Sequence, residues 1–169
     1  MIIRPALVQD SRGIALVHVS SWQHAYRGIV PQAYLDQLSV ANRESRWVEF
    51  FERGGSETLV ADAAGHIVGF ISYGNLREEH ALRDVGEIYA IYVASSHWST
   101  GIGRSLWEAT LARLRELSFA QAIVWVLAAN EQAIRFYERV GFALSRGSET
   151  PVELGGMSLP KVRYEIAIA

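Results

Sequence analysis

Two hydrophobic periods alternate along the chain, and the points where one gives way to the other divide it into elements. Ile2 to Arg4 is a short extended stretch stopped by Pro5. From Gln9 to Ser21 apolar residues recur at Ile14, Leu16, Val17 and Val19 behind a capping Asp10 or Ser11, which predicts a helix. A second helix is predicted from Pro31 through Tyr34, Leu35 and Leu38, because proline suits a first turn. A third runs from about Asn42 to Arg53 and stops at Gly54 and Gly55. The period then falls to two. Glu57 to Asp62 and His66 to Tyr73 are β-rich runs joined by Ala63, Ala64 and Gly65, a hairpin signal. Val85 to Val93 is almost continuously apolar and predicts a strand covered on both faces. Arg104 to Leu117 is an amphipathic helix with Leu106, Ala109, Leu111 and Leu114 as its inner side. Ala122 to Leu127 is a buried strand, Asn130 to Val140 a helix with an Asn cap in front and Gly141 behind, and the tail KVRYEIAIA a final strand. Strands first, then strand, helix, strand, helix, strand: the order predicts an α/β (α+β) fold with helices packed on a mixed sheet.

Composition narrows the function classes. The 169 residues are 50% hydrophobic and 20% charged, which is globular, and no repeat or proline-rich linker divides them, so one domain is expected over residues 1–169. Net charge is -2 and Lys161 is the sole lysine, so no basic stripe points to nucleic acid. With no cysteine there is neither a disulfide nor a thiol nucleophile, and the five histidines show no paired ligand spacing, so no metal is expected. The N-terminus lacks signal-peptide character and no apolar run is long enough for a bilayer, so a cytoplasmic protein without a membrane partner is expected.

The chemistry concentrates in two stretches. In HWSTGIGRS, Gly101 and Gly103 stand between a buried strand and a long helix. Glycines there let backbone amides approach an anion, and the first helical turn favours a phosphate, so Ser99, Thr100, Gly101, Ile102, Gly103 and Arg104 are candidates for a pyrophosphate cradle. Glycines that merely shape a tight turn are the alternative. The dinucleotide fingerprint needs a third glycine where Leu106 stands, and the P-loop Gly-Lys-Ser/Thr is absent. In NEQAIRFYERVGF, Asn130, Ile134 and Tyr137 fall on one helical stripe, beside an apolar stripe of Ala133, Phe136 and Val140.

Taken together, E-I-x-x-I-Y-V, G-I-G-R ahead of a helix, and N-x-x-A-I-x-F-Y-x-x-x-G-F resemble the GNAT superfamily of acetyl-coenzyme A dependent N-acetyltransferases, over about residues 85 to 142. SWQHAYRGIVPQAYLDQL also looks like a segment common in uncharacterised bacterial members. Trp98 stands where the family's loop usually begins with Gln or Arg. The resemblance implies a partly split sheet of about six to seven strands with helices on both faces. Coenzyme A would enter the gap between the strand Val85 to Val93 and the strand Ala122 to Leu127. Ile91, Tyr92 and Val93 would meet the pantetheine arm, the glycine loop the pyrophosphate, and Asn130 and Tyr137 the coenzyme as well. It also implies direct transfer from acetyl-CoA to a primary amine, small molecule or protein, which agrees with the missing cysteine and G-x-S-x-G elbow. A homodimer is common among such proteins.

Direct transfer needs the amine deprotonated, an oxyanion stabilised and a thiolate protonated. Tyr137, a phenol of ordinary pKa near 10, suits the last step, and its alternative is a core tyrosine bonded to backbone. Glu87 is the sole acid between Val85 and Val93 and is the candidate base, on one strand face with Tyr89, Ile91 and Val93 if no bulge intervenes. Its alternatives are a glutamate facing water or pairing with an arginine, with a water chain as base. Family analogy puts acceptor contacts on SSWQHAYRG, where Trp22, His24 and Tyr26 are candidates, and on NLREEHALRD, of which Arg77, Glu78, Glu79 and His80 are expected to be solvated loop. A non-catalytic acyl-CoA-binding sensor is the rival function.

Overall fold

The computed structural model describes residues 1–77 and 84–168. Helices α1 (Ser11–Ala25), α2 (Gln32–Asp36) and α3 (Val40–Arg53) follow strand β1 (Ile2–Pro5) and precede the hairpin β2 (Ser56–Ala63) and β3 (His66–Asn75). Then come β4 (Val85–Val93), α4 (Ile102–Glu116), β5 (Gln121–Leu127), α5 (Glu131–Arg139), β6 (Ala143–Leu144), β7 (Thr150–Leu154) and β8 (Met157–Ala167). Among the described residues the strands make one eight-stranded sheet in the order β1-β2-β3-β4-β5-β8-β6, with β7 attached to β8. That exceeds the six to seven expected, because β6 is only two residues long and the β7–β8 hairpin turns at Gly155 and Gly156 inside a tail whose pattern marks only its last part.

Each face of the sheet is sealed by a different pair of helices. On one side Ile14, Ala15 and Val17 of α1 and Trp47 of α3 pack on Val60 and Phe70. On the other Ile102, Leu106, Trp107 and Leu114 of α4 and Tyr137 of α5 pack on Ile71, Tyr73, Ile88 and Val124. Leu106, Leu114, Phe70 and Ile71 are wholly inaccessible, and burying each such side chain stabilises the fold by about 1.5–3 kcal/mol. A smaller cluster, Tyr26, Val30, Leu35 and Leu127 with Val152 and Leu159, lays the segment after α1 over the end of β5 and the β7–β8 hairpin.

The sheet is forked at its centre. Strands β4 and β5 pair in parallel only from Val85 to Ile88 against Gln121 to Val124, so Tyr89 to Val93 and Trp125 to Leu127 separate. Opposite Ser72 and Tyr73 the β3–β4 register slips from Ala90 to Ile88, leaving Tyr89 as the extra residue of a bulge. Beyond the bulge the faces exchange. Ile88, Ile91 and Val93 all lie on the α4 side, whereas Ala90 and Tyr92 pack toward α1 and α3.

Candidate active site

The fork is lined first by strand backbone. The Ala94 amide donates to the Val68 carbonyl at 2.9 Å, so by the alternation of an antiparallel ladder Tyr92 and Ala90 turn their polar groups to β3, and Ile91 and Val93 turn theirs into the fork. Of these the Val93 carbonyl is already engaged, by the Trp98 indole N–H at 2.8 Å and the Ser21 hydroxyl at 3.2 Å. The Val93 amide and both polar groups of Ile91 remain for a strand-like partner.

The two glycines of the loop have different causes. Gly101 caps α4 with φ +88°, a left-handed backbone that side chains rarely adopt, and a Cβ there would meet nothing within 4 Å, so the turn faces open space. At Gly103 an added Cβ would sit 3.2 Å from Cε2 of Phe136, so this glycine lets α4 and α5 approach closely. Ser105 makes the first i→i−4 bond of this turn, to Gly101 at 3.0 Å, which leaves the amides of Ile102, Gly103 and Arg104 without helical acceptors. Open space, three such amides and the positive end of a 15-residue helix fit a diphosphate. Around them Ser99 is left-handed at φ 61°, the Thr100 hydroxyl donates to the His97 carbonyl at 2.7 Å, and Arg104 pairs with Glu108 at 2.8 Å. Trp98 braces the loop: besides bonding Val93 its indole meets the His24 ring edge-on at 5.0 Å.

Helix α5 brings the polar side chains. The Asn130 carboxamide caps it, accepting from the Ala133 amide at 3.2 Å, and also reaches the Tyr26 hydroxyl. Tyr26 in turn lies 3.2 Å from the Tyr92 hydroxyl. Tyr137 is buried at 7% exposure, and its hydroxyl has no hydrogen-bond partner among the described residues. Burial, and then the nearby Tyr26, push its pKa well above the ordinary phenol value. The three phenols are electrostatically coupled, since Tyr26 and Tyr137 both raise Tyr92 beyond what burial already does. Trp22 packs edge-on against Tyr26 at 4.9 Å and carries a buried indole N–H beside Tyr92 that lacks a partner of good geometry.

Thus Tyr26, Trp22, Tyr92, Asn130 and Tyr137 converge at the fork, whereas His24, half a helical turn from Trp22, is exposed on the opposite side of α1 against Trp98. Glu87 does not share a face with Ile91 and Val93, because the Tyr89 bulge intervenes. Its carboxylate, 4% exposed, accepts from the Arg77 backbone amide at 3.0 Å, from Nε at 3.2 Å and from Nη2. Arg77 also stacks over the Tyr89 ring at 4.1 Å, so the arginine-paired alternative holds for this glutamate. Glu78, Glu79 and His80 lie outside the described residues.

Two features beside the fork were not legible as site residues. His18 stacks on Tyr92 at 5.1 Å and accepts from the Trp47 indole at 3.4 Å; burial, with help from Arg43, pushes its pKa down to about 3, so it is neutral. Arg43, Arg46, Trp47 and Phe50 share one face of α3, at the i, i+3, i+4, i+7 spacing that R-x-x-R-W-x-x-F carries in plain sight.

Known proteins share the family and the fold of this chain. The family described as Acetyltransferase (GNAT) family matches residues 20–142. A Bacillus subtilis (strain 168) protein named as an uncharacterized N-acetyltransferase is 33% identical over 160 residues, covering 95% of this chain and 89% of its own. Among solved structures, a ribosomal-protein-alanine N-acetyltransferase from Brucella melitensis superposes with a TM-score of 0.77 at 25% identity over 99% of both chains. The PaiA N-acetyltransferase of Thermoplasma acidophilum, solved in complex with coenzyme A, shares the fold at a TM-score of 0.76, 18% identity and 98% coverage of each chain. With a family match over most of its length and a relative aligned almost end to end, this chain belongs to the GNAT family of acetyltransferases.

Proposed function

We propose that the protein, acting as a single acetyltransferase unit, moves an acetyl group from acetyl-CoA directly to a primary amine at the fork between β4 and β5. The observation that carries this reading is Tyr137, whose ring is buried, whose hydroxyl has no hydrogen-bond partner among the described residues, and which is coupled to the Tyr26–Tyr92 pair.

When bound, acetyl-CoA supplies an activated acyl group as a thioester. The amides of Ile102, Gly103 and Arg104 bind its diphosphate, with Ser99, Thr100 and Gly101 shaping the turn. The free polar groups of Ile91 and Val93 take its extended arm as a neighbouring strand would, and the Tyr92 ring and Asn130 hold the phenol cluster in place. Tyr137 keeps its proton at neutral pH because burial raises its pKa, and it releases that proton from Oη to the departing sulfur. The buried indole N–H of Trp22 lies beside the Tyr92 hydroxyl and steadies that phenol. With Glu87 saturated by Arg77, the ammonium proton of the acceptor leaves through water, and Glu87 acts by fixing Arg77.

The test is release of free thiol from acetyl-CoA over a panel of primary amines, with acetyl-CoA binding measured in parallel by calorimetry. Amine-dependent thiol release is expected. Tight binding without release for any amine would identify an acyl-CoA-binding module instead.

A further inference from the structure

Beside the fork, on the α1–α3 side of the sheet, a cavity of about 430 Å³ opens between α3 and β4. Its size is that of a small-metabolite site. One wall is the α3 stripe of Arg43, Arg46, Trp47 and Phe50; the other is formed by Tyr89 and Arg77. A second cavity of about 190 Å³, reaching to Tyr34, shares Arg43 and Arg46, so the two guanidiniums stand between both spaces.

Among the described residues the charges of this wall are unbalanced. Several arginines of the chain find carboxylates, among them Arg4 with Asp10, Arg12 with Glu44, Arg77 with Glu87 and Arg113 with Glu57, and others without an ion pair among the described residues, such as Arg27, Arg139 and Arg146, are exposed. Neither Arg43 nor Arg46 has a carboxylate within ion-pairing distance among the described residues. Arg43 is half-buried, and both desolvation and the like charge of Arg46 disfavour its cationic form. Arg46 itself is exposed, so the pair offers one half-buried and one accessible guanidinium, groups that match carboxylates and phosphates in geometry. Arg43 also leads to the reacting centre: its guanidinium lies 5.8 Å from the Trp22 ring centroid and is coupled electrostatically to Tyr92, one hydroxyl away from Tyr26.

We infer that the acceptor is a small amine bearing its own anionic oxyacid group, which Arg43 and Arg46 hold while the amine reaches the fork past Trp22 and Tyr92. This deepens, and rests on, the acetyl-transfer function proposed above. It disfavours polyamines, aminosugars and lysine side chains, whose positive charge the arginine pair repels. The aromatic floor of Trp47 and Phe50 suits an aliphatic or aromatic body on the acceptor.

Thiol-release kinetics on matched pairs test this: free L-amino acids against their carboxamides, and O-phosphoethanolamine against ethanolamine, with spermidine as the cationic control. The expected result is a KM lower by about tenfold or more for the anionic member, and the pair that shows it tells carboxylate from phosphate. Arg46→Gln is expected to raise that KM by a similar factor without changing the KM of the neutral partner or the affinity for acetyl-CoA. Equal use of both members of every pair, or a variant that weakens both alike, would overturn the inference. If no amine releases thiol, acetyl transfer fails, yet calorimetric binding of the same pairs still decides: preference for the anionic member that Arg46→Gln abolishes upholds the anion site, whereas equal binding or none rejects it.

Discussion

The Tyr26 hydroxyl, just past the end of α1, lies 3.2 Å from the Tyr92 hydroxyl in the fork of the sheet, joining residues 66 positions apart. This bond ties the segment that precedes α2 to the strand along which the coenzyme arm is proposed to lie, and it sets both phenols beside Tyr137.

Because Tyr137 is buried, its proton is retained well past the pH at which a free phenol ionises. Tyr137→Phe is therefore expected to lower turnover by about 100-fold, the scale of general acid catalysis, while coenzyme affinity stays unchanged. The wild-type rate is expected to show no loss of this acid between pH 7 and 9.5. Steady-state kinetics with parallel calorimetry measure both, and unchanged turnover removes Tyr137 from the mechanism.

Gly101 and Gly103 are expected to fail differently. Gly101→Val forces a branched side chain to φ +88°, which costs about 1–2 kcal/mol, and covers the open side of the cradle. Gly103→Val displaces Phe136 instead. Thermal unfolding falls in both, and coenzyme affinity falls more in the first; equal affinities in the two variants and wild type would dismiss the cradle.

His18 gives stability a definite pH dependence. Its folded pKa of about 3 lies below the unfolded value of 6.5, so the unfolded chain binds the extra proton. Its contribution is complete above pH 6.5 and is lost as pH falls toward 3, at about 1.4 kcal/mol per unit. Between pH 6.5 and 5, above the range where Asp10 and Glu57 titrate, His18→Gln is expected to flatten the urea-unfolding profile by one proton. Parallel slopes for variant and wild type would contradict a neutral buried imidazole.

With its oxygens held by Arg77, Glu87 acts as an anchor in this account. Glu87→Gln is expected to raise the acceptor KM and to leave the pH dependence of kcat/KM unaltered. Disappearance of the acidic limb in the variant would restore Glu87 as the base.

What the sequence disclosed was local. The stripe of Leu106 and Leu114, the Asn130 cap and the Ala63-Ala64-Gly65 turn each carry their own signal within a few residues, and α4, α5 and the β2–β3 hairpin stand where those signals lie. The glycine loop and the Asn130/Tyr137 stripe were legible for the same reason. Nothing local announces that Tyr89 is the extra residue of a bulge, yet that slip decides which way Glu87 points. Pro151 and Pro160 interrupt the β7–β8 hairpin and mask its alternation. The Tyr26–Tyr92 bond and the meeting of Arg43 with Trp22 are products of tertiary packing and leave no trace in spacing.

The contact between Gly103 and Phe136 has one more implication. Phe136 is the chain neighbour of Tyr137, with ring centroids 5.4 Å apart, so the turn proposed to hold the diphosphate is in mechanical series with the phenol proposed as the acid. Bulk at positions 103 and 136 is a shared quantity: an enlarged residue 103 is expected to need a smaller residue 136, and a chain that changes one alone is expected to tilt α5 and with it Tyr137.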